Sequence, residues 1–194
     1  MKYSFVCLLL FCLTGALAQD RVIGHLGGKP VLESELKGSS ELKRANHLYE
    51  QVVAPAVRAY LASHEQRLKP TETDVQQFMQ MDRASRKCRG RSDQPEADRS
   101  YAEWEVLNIK LQRFIYEQHG GGRLRFQQMG TEAFDATRTM ILELERRGAF
   151  AIHDPALREM ALDYWLKPHG PLMSDPGFDK AFKIEHAHEP CPGR

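Results

Sequence analysis

The sequence has little cysteine, no excess of charge of either sign, and no long apolar run after its first 18 residues. Its four cysteines among 194 residues show no disulfide framework pattern. The 27 basic and 26 acidic residues nearly cancel, which argues against nucleic acid as the partner, because phosphate binding requires a clustered cationic surface. What the sequence does contain is 42% hydrophobic residues, enough to bury a core and to exclude disorder throughout.

Residues 1 to 18 are typical of a secretory signal peptide. Lys2 supplies the positive charge, residues 5 to 13 are apolar, and Ala16 and Ala18 form a small-x-small cleavage site. The apolar run is shorter than the roughly 20 residues of a membrane-spanning helix. We therefore expect cleavage before Gln19 and an exported protein with no integral membrane segment after cleavage.

Two cysteines remain after this cleavage, Cys88 and Cys191. In an oxidising compartment they can form one disulfide that ties the C-terminal tail to the middle of the chain. Two unpaired thiols are the alternative. Cleavage also removes Lys2 and no acidic residue, so the mature chain is formally neutral.

A β-hairpin is predicted at the start of the mature chain. Apolar stretches at residues 22 to 26 and 29 to 32 flank Gly27 and Gly28, a pair that favours a turn with positive φ. Pro30 cannot donate to a strand ladder, so the second strand should be short or at an edge. Because a lone hairpin is marginal in water, it must pack on helices.

From Glu33 onward the apolar spacing is helical. Pro55 falls inside the first long helix and should kink it or begin a second one.

Residues 82 to 99 contain almost nothing apolar. Their basic cluster suggests an anionic partner, but the acidic residues that follow cancel its charge. The stretch is therefore interpreted as a solvated loop. Residues 123 to 129 are predicted to be extended. The predicted helix starts are Ser40, Thr73, Ser100, Thr131, Asp154 and Asp175.

The hairpin and the first helical turn resemble the N-terminal domain of SurA-type periplasmic chaperones and related parvulin foldases. That family begins with a pattern like V-A-x-V-N-G-x-x-I-T-x-x-E-L. The matching residues here are Val22, Leu26, Gly27, Gly28, Val31, Glu35 and Leu36. Gly27 replaces the usual Asn, and Leu32 stands where a Thr or Ser would cap the helix. The resemblance covers residues 21 to 80.

The resemblance implies a periplasmic location, and the helical spacing and capping signals predict a mainly α fold, a multi-helix bundle with one short N-terminal β-hairpin. Its parts would be the signal peptide (1–18), a helical chaperone-like domain (19–182) and a flexible tail (183–194). In the family, prolyl isomerase activity belongs to a separate parvulin domain, for which the stretch between the predicted helices at Val75 and Ser100 is too short. The implied function is therefore a non-catalytic protein that binds unfolded or extended polypeptide without a cofactor. A degenerate peptidyl-prolyl isomerase is the enzymatic alternative.

Aromatic residues are the candidates for client binding: Trp104, Phe126, Tyr164 and Trp165. Tyr164 and Trp165 are adjacent, so on a helix they point about 100° apart, and one can enter the core while the other faces a groove or solvent. A purely structural role in the core is the alternative.

A third hypothesis is a periplasmic metal-binding protein. His186, His188 and Cys191 carry imidazole and thiolate groups that could share a transition metal, with a flexible tail that binds nothing as the alternative. Other histidines are scattered singly along the chain, a pattern typical of surface or internally bonded histidines: His25, His47, His64, His119 and His153. No nucleophile elbow, phosphate-binding glycine loop or helical zinc-protease motif is present.

Overall fold

A computed structural model describes residues 20–90, 95, 97–127, 130–170, 172–173 and 182–184. The predicted signal peptide, the helix start at Asp175, most of the predicted tail and the candidate ligands His186, His188 and Cys191 lie outside the described residues. The described part is mainly helical, which confirms the predicted fold class. It contains two small antiparallel sheets, whereas the sequence predicts a single hairpin.

The first sheet contains the predicted hairpin. Strands β1 (Val22–Leu26) and β2 (Lys29–Leu32) are joined at Gly27 and Gly28, whose φ angles of 54° and 81° favour glycine. Pro30 lies in β2, which is an edge strand as expected. The glycine pair, a feature of the local sequence, therefore determines where the hairpin turns.

A third strand, which the sequence pattern did not reveal, completes this sheet. Strand β5 (Phe150–Ile152) pairs antiparallel with β1, so that His25 lies opposite Ala151 and Leu26 opposite Phe150. Three residues are too few to show a strand period. The strand forms because β1 would otherwise leave a row of backbone groups unpaired on that side.

The first long helix divides near Pro55, as predicted. Helix α1 (Glu41–Leu48) begins after Ser40, whose hydroxyl accepts a backbone hydrogen bond in the first turn. One π-helical turn, Tyr49–Val53, leads into α2 (Ala54–Ala62). Pro55 lies in the first turn of α2, where its missing N–H and fixed φ are compatible with a helix start.

The next helices are α3 (Glu65–Leu68) and α4 (Glu72–Cys88). The predicted cap at Thr73 is wrong by two residues. Thr71 is the N-cap, and its hydroxyl accepts from the Asp74 amide while the Asp74 carboxylate accepts from the Thr71 amide. This reciprocal pair satisfies two amides, which explains why it is preferred over the later threonine.

Two other predicted caps are also wrong. Helix α5 (Arg99–Gln118) begins after Asp98, whose carboxylate accepts from the amide of Tyr101, and not at Ser100. Helix α6 (Phe134–Arg146) begins after Ala133, while Thr131 lies in a strand. Several nearby residues can accept a first-turn hydrogen bond, so tertiary contacts select among them.

The second sheet contains β3 (Leu124–Gln127), β4 (Gly130–Glu132) and β6 (Leu172–Met173), with β3 in the centre and antiparallel to both neighbours. The prediction that residues 123 to 129 are extended is confirmed for 124–127. Phe126 lies opposite Thr131 in this sheet.

Helix α7 (Pro155–Ala161) begins after Asp154, as predicted, because one carboxylate oxygen of Asp154 accepts from two amides of the first turn. The short helix α8 (Asp163–Leu166) follows and carries Tyr164 and Trp165. Together, α7 and α8 bring the chain back against α1 and α6.

The interpretation of residues 82 to 99 as a solvated loop is wrong for their first part. Helix α4 continues through Cys88, and the side chains of Asp82 and Ser85 are buried. Asp82 accepts hydrogen bonds from Arg86 and from the backbone amide of Ala97. At this buried position of α4 the helical period calls for an apolar side chain. The Asp82 carboxylate can take that place because it accepts these hydrogen bonds.

Two apolar clusters hold the molecule together. The main core lies between α1, α2, α6, α7, the C-terminal part of α5 and the first sheet, so the two halves of the chain share one interior. Leu48, Ile141 and Phe150 are among its fully buried members. The second cluster joins α4 to the N-terminal part of α5 and contains Val75, Phe78, Ala97, Ala102 and Val106.

Candidate binding surface

Helix α5 carries an apolar stripe that extends beyond the main core. The stripe consists of Tyr101, Trp104, Leu107, Leu111 and Ile115, at the three- and four-residue spacing of one helix face. Its C-terminal part is covered, because Leu111 and Ile115 pack in the main core. Its N-terminal part is open, since Tyr101, Trp104 and Leu107 remain 45%, 42% and 40% exposed. We call these three residues the α5 stripe.

The α5 stripe is exposed because this part of α5 is supported from another side. Ala102 and Val106 face α4 and pack with Val75 and Phe78 in the second cluster. Of the α5 stripe, Tyr101 takes part in this support, because its ring centroid lies 6.2 Å from that of Phe78, whereas Trp104 and Leu107 are not members of the cluster. The result is a rigid helix that presents large apolar side chains to solvent.

The Tyr101 side chain is oriented by a local hydrogen bond. Its hydroxyl donates to a Glu105 carboxylate oxygen at 2.6 Å, and this bond, together with partial burial, raises the pKa of Tyr101 to about 12. The hydroxyl therefore stays protonated at neutral pH. The ring centroid lies 6.2 Å from that of Trp104, so the two aromatic groups form a continuous patch.

Ion pairs fix the start of α5 on α4. Arg99 donates to both carboxylate oxygens of Glu72, at 3.0 and 2.6 Å, and also pairs with Glu103 at 2.8 Å. The hydrogen bond from Arg99 is the main cause that lowers the pKa of Glu72 to about 2. These charges lie at the N-terminal end of the α5 stripe and leave its rings free to contact a ligand.

The second sheet adds another exposed aromatic side chain. Strand β4 lies along α5, where the Gln112 amide oxygen accepts from the Ala133 amide at 2.8 Å. A Cβ atom at Gly130 would lie 3.3 Å from the Asn108 amide nitrogen, so strand and helix are in close contact. On the neighbouring strand β3, Phe126 is 51% exposed. Phe126 and the α5 stripe are exposed apolar side chains on elements that adjoin through β4, and we refer to them collectively as the apolar surface.

Tyr164 is held by polar groups of the second sheet. Its hydroxyl donates to Glu132 at 2.8 Å, and the Arg125 guanidinium carbon lies 5.1 Å from its ring centroid. The ring also stacks on His169. Although Tyr164 is 37% exposed, these contacts give it a role in fastening α8 to the sheet.

Trp165 is partly buried and packs against the main core. Its ring centroid lies 5.9 Å from that of Phe134, and its indole nitrogen donates to the Tyr49 hydroxyl at 3.4 Å. The adjacent rings nevertheless stay in contact, with centroids 4.8 Å apart, and both lie beside Phe134. Trp165 is the one that packs against the core, and Tyr164 is the more exposed of the two. Of the four predicted client-binding residues, Trp104 and Phe126 present the most exposed apolar surface.

A cleft of about 490 Å³ borders a different face of α5. Its walls are largely charged, and several of these charges are paired within the protein. Lys110 donates to the Asp74 carboxylate at 3.0 Å and to the Lys69 carbonyl at 2.9 Å, and Arg113 pairs with Glu117 at 2.8 Å. Such walls are less suited to apolar client segments than the apolar surface.

His119 is buried with both ring nitrogens bonded. Its Nδ1 lies 2.9 Å from a Glu143 carboxylate oxygen, which can only accept, so Nδ1 carries a proton, and Nε2 lies 3.0 Å from the Tyr60 hydroxyl. This arrangement matches the expected internally bonded histidine. Burial is the main cause of the raised pKa of Tyr60, so the phenol is not activated as a nucleophile.

Cys88 is disulfide-bonded, and the other three cysteines of the chain lie outside the described residues. The pairing of Cys88 with Cys191 stays a prediction. None of the helices in the described ranges combines the length and apolar character needed to cross a bilayer.

No family model, no curated protein and no solved structure matches this chain. The resemblance to SurA-type chaperones therefore stays a prediction, and the case for function depends on the apolar surface.

Proposed function

We propose that this is an exported, non-catalytic, chaperone-like protein of the periplasm, which holds unfolded or extended polypeptide against the apolar surface. The observation that carries the proposal is the α5 stripe, which continues past the end of the main core into solvent. A soluble helix normally buries such a stripe. Here it is held by contacts of α5 with α4 and stays exposed, which is the property that a passive holding surface needs.

The size of the surface suits weak and reversible binding. Covering the exposed parts of Trp104 and Phe126 would remove on the order of 100 Å² of each ring from water, which contributes about 2.5 kcal/mol per ring. Ordering of a flexible client offsets part of this gain. The net affinity should allow clients to be released without an energy source.

Aggregation of an unfolded outer-membrane protein tests the proposal. The mature chain at an equimolar ratio should slow the rise of light scattering, and a Trp104→Ala, Phe126→Ala double variant should lose most of this effect. The matched control is a Val22→Ala, Leu42→Ala double variant, because these large apolar residues are also exposed but lie elsewhere, on β1 and α1. Circular dichroism should show that both variants stay folded.

Three results would contradict the proposal: no delay of aggregation by the wild-type chain, an equal loss in both double variants, or catalysis of refolding. The last is measured with a client whose refolding is limited by proline isomerisation. A passive binder leaves the rate of this slow phase unchanged at substoichiometric concentration, whereas a peptidyl-prolyl isomerase accelerates it.

A further inference from the structure

Two histidines that are 128 residues apart in the sequence meet on the first sheet. His25 lies in β1 and His153 directly follows β5. Nδ1 of His25 is 2.6 Å from Nε2 of His153, and the ring centroids are 4.8 Å apart with an interplanar angle of 70°. From the sequence both are interpreted as isolated histidines, because no short motif or spacing connects two residues so far apart.

The backbone holds the two residues in this relation. His25 is opposite Ala151 in the β1–β5 ladder, and His153 is two residues further along, so both side chains lie on the same face of the sheet. The His153 amide also donates to the Ile23 carbonyl at 2.8 Å, which extends the pairing past the end of β5. The strands are in close contact here, because a Cβ atom at Gly24 would lie 2.7 Å from the Ala151 carbonyl oxygen.

The spacing of the two nitrogens is close to what one metal ion requires. Imidazole nitrogens bind Zn²⁺ at about 2.0–2.1 Å in tetrahedral geometry, so two of them in neighbouring coordination positions are about 3.3 Å apart. A small rotation of either ring would widen the present 2.6 Å to that value. His25 is half-buried and His153 exposed, which leaves an ion access from solvent.

We propose that His25 and His153 together bind one divalent transition-metal ion, Cu²⁺ or Zn²⁺, through one ring nitrogen each. Nearby Asp154 is not a third ligand, because its oxygens accept from two helix amides and from Arg21. No group of three or more candidate ligands converges anywhere in the described residues. Water completes the coordination, so the site is open and exchanges its ion readily.

Titration calorimetry with CuCl₂ and with ZnCl₂ on the mature chain tests this site. We expect His25→Gln and His153→Gln each to weaken binding at least about tenfold, since even the loss of a group that orients a metal ligand weakens binding by about 10–100-fold. The double variant should bind at least as weakly as either single variant. His47→Gln is the matched control, because His47 is a histidine of α1 outside this pair, and it should bind like the wild type.

A second measurement does not depend on the variants. In the wild-type chain, Zn²⁺ should shift the ring resonances of His25 and His153 together in NMR spectra, at the same metal concentration. Wild-type affinity in the His25→Gln and His153→Gln variants would overturn the proposal, because the binding would then lie elsewhere, for example in residues 186 to 191. Absence of heat and of ring shifts in the wild type would overturn it as well, leaving a plain hydrogen bond between the two imidazoles.

Discussion

Replacing Asp82 by alanine should destabilise the protein much more than the loss of an ordinary surface ion pair. The Asp82 side chain is 7% exposed, and its Oδ2 accepts from Arg86 at 2.7 Å and from the Ala97 amide at 3.1 Å. Ala97 immediately precedes Asp98, the N-cap of α5, so the second bond ties the start of α5 to α4. Asp82 thereby supports the helix that carries the α5 stripe.

The magnitude follows from the two lost bonds. The Ala97 amide would be left buried without this acceptor, at a cost of about 1–3 kcal/mol. Loss of the partly solvated pair with Arg86 adds about 1 kcal/mol, and the higher helix propensity of alanine returns about 0.5 kcal/mol. We expect a net decrease of about 1.5–3.5 kcal/mol in the free energy of unfolding, which lowers Tm by about 3–14 °C for a chain of this length.

Glu117→Ala provides a matched control. Glu117 and Arg113 form an i,i+4 pair with almost the same distance, 2.8 Å, but their side chains are 37% and 50% exposed. Its loss should change stability by less than about 0.5 kcal/mol. Urea unfolding followed by circular dichroism measures both variants. Equally small effects would refute the burial of Asp82 and support the solvated loop that the sequence pattern favours.

Two further predictions concern the first sheet. Gly24→Ala should destabilise the protein by about 1–3 kcal/mol in urea unfolding. The new Cβ would lie 2.7 Å from the Ala151 carbonyl oxygen and would push β1 away from β5. Unchanged stability would contradict the pairing of these two strands. Hydrogen bonds from Arg21 and then Arg44 lower the pKa of Glu33 from 4.5 to about 2, so its contribution to stability is complete above pH 4.5 and is lost as the pH falls toward 2. Glu33→Gln should therefore lower stability at neutral pH and reduce the loss in acid, and an unchanged pH profile from urea unfolding would contradict the ion pairs.

Features that depend on neighbouring residues could be predicted from the sequence. The turn at Gly27 and Gly28, the helix start near Pro55 and the cap at Asp154 were all predicted correctly. Each depends on backbone chemistry within a few residues: positive φ, a missing N–H, or a side-chain acceptor next to free amides. Where several acceptors stood close together, as around Thr71 and Thr73, the same local rules could not choose among them.

The candidate sites were decided by tertiary structure. The sequence identified Trp104 and Phe126 as candidates, but only the fold shows that α5 extends beyond the main core and leaves its stripe exposed. The pairing of β5 with β1, and with it the meeting of His25 and His153, joins residues more than a hundred positions apart. Such contacts leave no periodic signal in the chain, because each depends on what the rest of the molecule packs against it, and that is determined only when the whole core forms.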